Sequence, residues 1–119
     1  MKYARDRSAF GQPIGRFQAI EFKIARMEAR AHAARTAYYD AAALMLSGKP
    51  FKKQAAIAKL LASEAAMDNA RDGTQIHGGY GFMNDYPVAR HYRDSKILEI
   101  GEGTTEVQLM LIAREIGLG

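Results

Sequence analysis

The sequence predicts an all-α fold, an antiparallel bundle of about four helices. Apolar residues recur at steps of three and four through long stretches, which places them on one face of a helix. No stretch shows the alternation of apolar and polar residues that predicts a half-buried strand. Prolines occur only at Pro13, Pro50 and Pro87, and they divide the chain into the segments that we interpret as helices.

The helical pattern has recognisable ends. Phe10-Gly11-Gln12-Pro13 predicts a turn, and Tyr3-Ala4-Arg5 before it is interpreted as the end of a helix whose earlier part is missing. Gly48 is well placed as a C-cap, Gly73 predicts a frayed helix end, and Pro87 suits a first helical position. We predict helices over residues 14–46, 51–76, 87–98 and 104–116.

Length and composition are those of a soluble globular domain. The chain has 119 residues, of which 48% are hydrophobic and 25% charged, enough for one domain with a modest core. It contains no cysteine, which excludes disulfides and thiolate chemistry and fits a cytoplasmic location. Because no apolar run is long enough for a signal peptide or a membrane span, we expect no membrane association.

Charge and histidine spacing argue against two further classes of function. The net charge is +4, but basic residues are interspersed with acidic ones, so we expect no nucleic-acid partner. His32, His77 and His91 do not have the spacing of metal ligands on a helix, and no carboxylate cluster accompanies them. We therefore expect no metal site.

Residues 100–108, Ile-Gly-Glu-Gly-Thr-Thr-Glu-Val-Gln, form the most informative segment. Glycines on both sides of Glu102 allow unusual backbone angles and close approach by another molecule. Thr105 and Gln108 fit the spacing of a capping box, which would place Glu102 just before a helix N-terminus. Such a turn can hold a reactive carboxylate or a phosphate-bearing ligand. The alternative is a turn and a capped helix with one exposed glutamate.

A second glycine-rich segment, Gln75-Ile-His-Gly-Gly-Tyr-Gly-Phe82, follows the second predicted helix. Three glycines in four positions cannot continue a stable helix, and they expose backbone N–H groups to an anion or a cofactor. The spacing does not match the dinucleotide-binding fingerprint, and no strand precedes the glycines.

The motifs together resemble the C-terminal helical domain of acyl-CoA dehydrogenases. In order they are Tyr3-Ala-x-x-Arg7-x-x-Phe10-Gly-x-Pro-Ile-x-x-x-Gln18, Gln75-x-x-Gly78-Gly79-x-Gly81, Arg93-Asp94 and Glu102-Gly103-Thr104. The resemblance covers nearly the whole chain. It implies an all-α domain over residues 1–119 of a longer subunit, whose N-terminal helical domain and middle β-domain are absent from this sequence.

The resemblance implies an FAD-dependent α,β-dehydrogenation of a fatty acyl-CoA thioester, with electrons passing to an electron-transferring flavoprotein. Glu102 matches the family's general base, which removes the α-proton while hydride passes to the flavin. A carboxylate is a weak base in water, and desolvation in a dry pocket makes it a stronger one. Alone, the chain is expected to be inactive.

The resemblance also implies the remaining site residues. Arg7, Phe10 and Gln18 match a segment that reaches the FAD of a neighbouring subunit, and Gln75, Gly78 and Gly79 match a loop that receives its ADP part. Thr104 and Glu106 match contacts to the flavin of the same subunit, although the family often has glutamine at the latter position. Gly103 and Arg114 match substrate contacts. Because two segments serve a neighbour's cofactor, we expect a dimer or tetramer.

Two alternatives stay open at this stage. The chain can be a non-catalytic helical module that completes a flavin site together with a partner chain. Within the same fold it can also belong to an acyl-CoA oxidase, which would consume oxygen without the electron-transfer partner.

Overall fold

A computed structural model describes residues 1–118 and shows the all-α fold that the sequence predicts. The two longest helices form an antiparallel hairpin, and the molecule is elongated, with extents of 55 × 25 × 23 Å. The helices after the hairpin pack against its second arm. In chain order the helices are α1 (Lys2–Asp6), α2 (Gln18–Leu46), α3 (Lys52–His77), α4 (Pro87–Ser95), α5 (Ile97–Ile100) and α6 (Thr105–Glu115).

Hydrogen bonds between charged side chains join the two helices of the α2–α3 hairpin at one end, and a turn that contains a glycine connects them at the other. Asp72 near the end of α3 accepts hydrogen bonds from Arg30 at 2.8 Å and Lys23 at 3.2 Å, both on α2. Burial acts to raise the pKa of the Asp72 carboxyl, but the hydrogen bonds from Arg30 and Lys23 outweigh it and hold the pKa below its usual value. At the other end Gly48 adopts a φ of +67°, as predicted for a C-cap.

The beginning of the chain differs from the prediction in two ways. The long helix begins at Gln18, because Ile14–Arg16 form a 3-10 turn and Phe17 is extended. A short antiparallel ladder also pairs β1 (Ser8–Ala9) with β2 (Gln12–Pro13), where no strand was predicted. Strands of two residues are too short to show a period of two, so no sequence alternation marks them.

The later helix boundaries lie close to the predicted ones, with two corrections. α3 does not fray at Gly73 but continues to His77. Gly73 is buried, and a Cβ there would lie 3.3 Å from Val88, so close packing between helices accounts for the glycine. The predicted helix over 87–98 is divided at Lys96 into α4 and α5.

The core consists mainly of small side chains. The buried apolar residues are Ala4, Ala41, Ala56, Ala58, Ala65, Ala70, Ile76, Val88 and Ala89. Within residues 1–118 no large side chain is fully buried, and many large apolar ones are exposed. Val107, Met110 and Ile116 are 38%, 45% and 57% exposed, because α6 packs on α3 through the face that carries Gln108. None of the helices described is long and apolar enough to cross a membrane.

Candidate active site

Glu102 lies in a strained turn between α5 and α6. Its φ is +58°, in the left-handed region that side chains other than glycine rarely adopt. Gly103 follows at φ +91°, and a Cβ at that position would lie 2.7 Å from the Gln108 side-chain nitrogen. Gly101, in contrast, has an ordinary extended backbone, and a Cβ there would lie 3.2 Å from the Ile97 carbonyl oxygen. Strain of this kind persists only where the surroundings enforce it, and it is concentrated at functional sites.

Two side chains from different helices hold this turn. The Lys59 ammonium on α3 donates a hydrogen bond to the Gly103 carbonyl at 2.7 Å. The Gln108 amide on α6 donates to the same carbonyl at 3.2 Å and to the Glu102 carbonyl at 3.3 Å. Gln108 is only 6% exposed. We call these two side chains the carbonyl clamp.

Sequence reasoning missed the carbonyl clamp. Lys59 stands among alanines and leucines in α3, and its only signal is a charge in an otherwise apolar stretch. Gln108 was assigned to a capping box with Thr105, but the N-cap is Thr104, whose hydroxyl accepts from the Val107 N–H at 3.4 Å. The Gln108 side chain turns towards the preceding carbonyls instead.

The turn presents its functional groups outward. The Glu102 side chain is exposed, and among residues 1–118 the backbone N–H groups of Glu102 and Gly103 donate to no acceptor. A carboxylate next to unused N–H donors can accept a proton while the donors polarise a carbonyl oxygen. The geometry of Glu102 is therefore compatible with a general base.

The other predicted residues of α6 differ in their relation to the turn. Thr104 and Glu106 lie in its first turn, next to Glu102 and Gly103. The Glu106 backbone N–H, followed by the Thr104 hydroxyl, lowers the pKa of the Glu106 carboxyl, as suits an anion at a helix N-terminus. An ionised carboxylate there would repel a phosphate. Arg114 lies in the last turn of α6, about 15 Å along the helix from Thr104 at 1.5 Å per residue.

A second candidate region is an open cleft of about 510 Å³ beside Arg7. The Arg7 guanidinium carbon lies 5.5 Å from the centre of the Tyr80 ring, a cation–π distance. The structure thus brings Arg7 next to the glycine segment that sequence analysis assigned to the same ligand. The cleft is lined by Tyr3, Arg7, Ile14, Ile76, His77, Gly78, Gly79, Tyr80 and Met83.

The glycines of this cleft fit an approaching ligand. Gly81, which follows the cleft lining, is required by packing, because a Cβ there would clash with the Thr74 carbonyl oxygen. Gly78 is required by its φ of +58°. Gly79 has neither reason: its φ lies outside the positive region, and a Cβ would meet no atom within 4 Å. An open glycine backbone beside a guanidinium is the donor set expected for a pyrophosphate.

The remaining predicted cofactor residues lie outside the lining of this cleft. Phe10 is 96% exposed at the tip of the β1–β2 hairpin, with its ring edge-on to Phe17 at 6.2 Å. Gln18 is the first residue of α2, and Gln75 lies in the last turn of α3; both are exposed.

The cleft and the Glu102 turn are far apart in the chain's own fold. Lys59, which touches the turn, and Gln75, which precedes the glycine segment, are separated along α3 by about 24 Å at 1.5 Å per residue. One copy of the chain therefore does not bring all predicted site residues together. Within residues 1–118 no cluster of three His, Asp or Glu side chains could hold a metal ion.

The fold and the turn define a helical domain that carries a candidate general base. The sequence model of the acyl-CoA dehydrogenase C-terminal domain matches residues 1–117. The chain therefore belongs to the acyl-CoA dehydrogenase family, a family of flavin-dependent oxidoreductases, and matches its C-terminal helical domain.

Relatives and solved structures agree with this assignment. The butyryl-CoA dehydrogenase of Megasphaera elsdenii superposes with a TM-score of 0.94 at 49% identity, over 97% of this chain and 30% of that one. The 3-(aryl)acrylate reductase of Clostridium sporogenes is 47% identical over 98% of this chain and 31% of its own length. The FAD complex of PigA superposes with a TM-score of 0.96 at 32% identity, over 98% of this chain and 30% of that one. The chain thus spans about a third of the length of these proteins.

Proposed function

We propose that this chain is the C-terminal domain of an FAD-dependent acyl-CoA dehydrogenase and that Glu102 is its general base. The observation that carries the proposal is the strained turn at Glu102, which is held by the carbonyl clamp and presents a carboxylate beside free N–H groups. A non-glycine residue at positive φ is uncommon, and such residues are concentrated at functional sites. The family match supports the same function.

The chemistry assigns one step to this chain. The Glu102 carboxylate removes a proton from the α-carbon of a fatty acyl-CoA thioester, and the backbone N–H of Glu102 donates to the thioester carbonyl as negative charge develops there. The β-carbon gives up a hydride, so the substrate loses one proton and one hydride and becomes the trans-2-enoyl-CoA. When bound, FAD supplies the hydride acceptor, and the electrons then pass to an electron-transferring flavoprotein.

The open cleft would hold the anionic part of FAD. Arg7 would pair with the pyrophosphate, and the backbone at Gly78 and Gly79 would approach it closely. Because the cleft lies about 24 Å along α3 from the Glu102 turn, it would serve the flavin of a neighbouring subunit. This arrangement requires a homo-oligomer, a dimer or a tetramer. The many exposed large apolar side chains support such an assembly.

The decisive variant is Glu102→Gln in the complete flavin-loaded enzyme that carries this domain. Because the amide cannot accept the α-proton, we expect turnover of butyryl-CoA to fall by about 10³-fold or more, while flavin content stays unchanged. Anaerobic bleaching of the flavin absorption by butyryl-CoA measures the step directly. Glu64→Gln, an exposed carboxylate on α3, is the matched control and should bleach normally. Near-full turnover by Glu102→Gln would refute the assignment.

The exposed apolar surface also favours a second candidate, a helical assembly module that completes a flavin site on a partner chain without being the base. The two candidates differ in the same assay. A module would leave the Glu102→Gln enzyme active, and the chain would gain flavin only when its partner is added. Oxygen consumption without an electron-transfer partner would indicate an oxidase instead of a dehydrogenase.

A further inference from the structure

The carbonyl clamp has features that helix packing alone does not explain. Lys59 lies in the middle of α3, and within residues 1–118 its ammonium has no carboxylate within salt-bridge distance. Its charge is directed at one backbone carbonyl of the turn, at 2.7 Å. A hydrogen bond from a charged donor is shorter and stronger than a neutral one, so Lys59 fixes that carbonyl firmly.

Gln108 complements the lysine from the opposite helix. Its amide reaches both the Glu102 and the Gly103 carbonyl, although it is nearly fully buried. Among residues 1–118 no buried side-chain polar atom lacks a hydrogen-bond partner, and the Gln108 side-chain nitrogen finds its acceptors in these two carbonyls. The clamp therefore joins α3 and α6 through the backbone of the turn.

Fixing the carbonyls also fixes the groups on the other side of the backbone. The peptide unit is planar, and its C=O and N–H point in opposite directions. Because Gln108 holds the Glu102 carbonyl, the N–H of Gly103 must face away from Gln108. Lys59 and Gln108 together hold the Gly103 carbonyl, which fixes the next peptide unit of the turn in the same way. The Glu102 Cα is held at the same time, with its unusual φ of +58°. The hydrogen bonds of the clamp oppose relaxation of Glu102 to an ordinary backbone conformation.

We propose that Lys59 and Gln108 are positioning residues that hold Glu102 in its strained, outward-facing geometry and thereby set the rate of proton removal. This inference rests on the proposed function of Glu102. Neither side chain needs to touch the substrate, since they act through the backbone of the turn. Misplacing a reacting group by about 1 Å can cost roughly 100-fold in rate, which gives the clamp a measurable effect.

The test compares Lys59→Met, Lys59→Arg and the matched control Lys53→Met, which removes a lysine of α3 that makes no side-chain hydrogen bond described in the structure. In the complete flavin-loaded enzyme we expect Lys59→Met to lower kcat per bound flavin by about 10- to 100-fold, with KM for butyryl-CoA changed less than about threefold. Lys59→Arg keeps a charged donor and should recover most of the loss. Lys53→Met should behave like the wild type. A loss of flavin or melting temperature with unchanged kcat per flavin would show a merely structural role and overturn the proposal.

A second measurement does not depend on how the variants fold. Backbone ¹⁵N relaxation of the wild-type 119-residue chain should give order parameters near 0.85 at Glu102 and Gly103, as in a rigid helix. Values below about 0.6 would show that the turn is not held and would overturn the proposal.

The Glu102→Gln enzyme distinguishes failure of the base assignment from failure of the clamp proposal. If it turns over normally, the base assignment fails whatever the clamp does. If it is inactive while Lys59→Met is fully active, only the clamp is wrong.

Discussion

The Glu102 turn and the Arg7 cleft are both rich in glycine, but the surrounding side chains fix the backbone of the turn and leave that of the cleft open. At the turn, the backbone carbonyls are bound by side chains from two helices, and the space where a Gly103 side chain would lie is occupied by Gln108. In the cleft, a Cβ at Gly79 would meet no atom within 4 Å, and the Arg7 guanidinium lies over the Tyr80 ring. A strained segment that its own fold holds is prepared before any ligand arrives. A glycine segment that is open to solvent leaves room for a ligand, but its own fold does not fix it in one binding conformation.

The largest expected difference between the two regions is in stability. Gly103→Ala places a methyl group against the Gln108 amide at 2.7 Å and puts alanine at a φ of +91°, so we expect a loss of about 2–3 kcal/mol. Gly79→Ala meets no atom within 4 Å and should change the free energy of unfolding by less than about 0.5 kcal/mol. Urea unfolding of the 119-residue chain, followed by helical circular dichroism, measures both. Equal losses would mean that the two glycine segments do not differ as described.

The local features of both regions could be predicted from the sequence. The helical period of α2 and α3, the cap at Gly48 and the break at residues 100–104 are signals within a few neighbouring residues. The prediction of Thr105 as part of a capping box was wrong by one position, because Thr104 and Thr105 are equally good cap residues in sequence.

Contacts between distant residues could not be predicted in the same way. Lys59 and Gly103 are 44 residues apart, and no local pattern distinguishes this lysine from one on a solvated helix face. The turn at Phe10-Gly11 was predicted, but the strands of the β1–β2 hairpin were missed because two residues each are too few to show an alternating pattern. The exposure of the apolar residues of α6 could not be predicted either, because a helix with one packed face leaves its other faces exposed.

The next largest expected effect is on FAD binding at the Arg7 cleft. Arg7→Gln removes the guanidinium that we assign to the pyrophosphate, and it should weaken FAD binding by about tenfold, or about 1.4 kcal/mol. Stability should change little, since Arg7 is exposed and donates no hydrogen bond from its side chain within residues 1–118. Fluorescence titration of the apo-enzyme with FAD gives the affinity.

Arg16→Gln is the control for this experiment. Arg16 is an exposed arginine in the 3-10 turn near the cleft but is not part of its lining. Equal weakening by both variants would indicate a general effect of net charge and remove Arg7 from the cofactor site. A difference that disappears at high salt would indicate long-range attraction instead of a direct contact.

The smallest expected effect concerns the hairpin on which both regions depend. Asp72 lies seven residues before Gly79, so its bonds to Arg30 and Lys23 hold the cleft end of the hairpin.

Because the pKa of Asp72 is lowered in the folded protein, the stabilisation that its carboxylate contributes is present above about pH 5 and is lost as the pH falls through the folded-state pKa. Asp72→Asn should cost about 1 kcal/mol at pH 7, and the difference from the wild type should shrink below about pH 4. Urea midpoints of both proteins between pH 3 and pH 7 test this. A difference that stays constant over that range would show that asparagine disturbs packing, and that the carboxylate charge does not hold this end of the molecule.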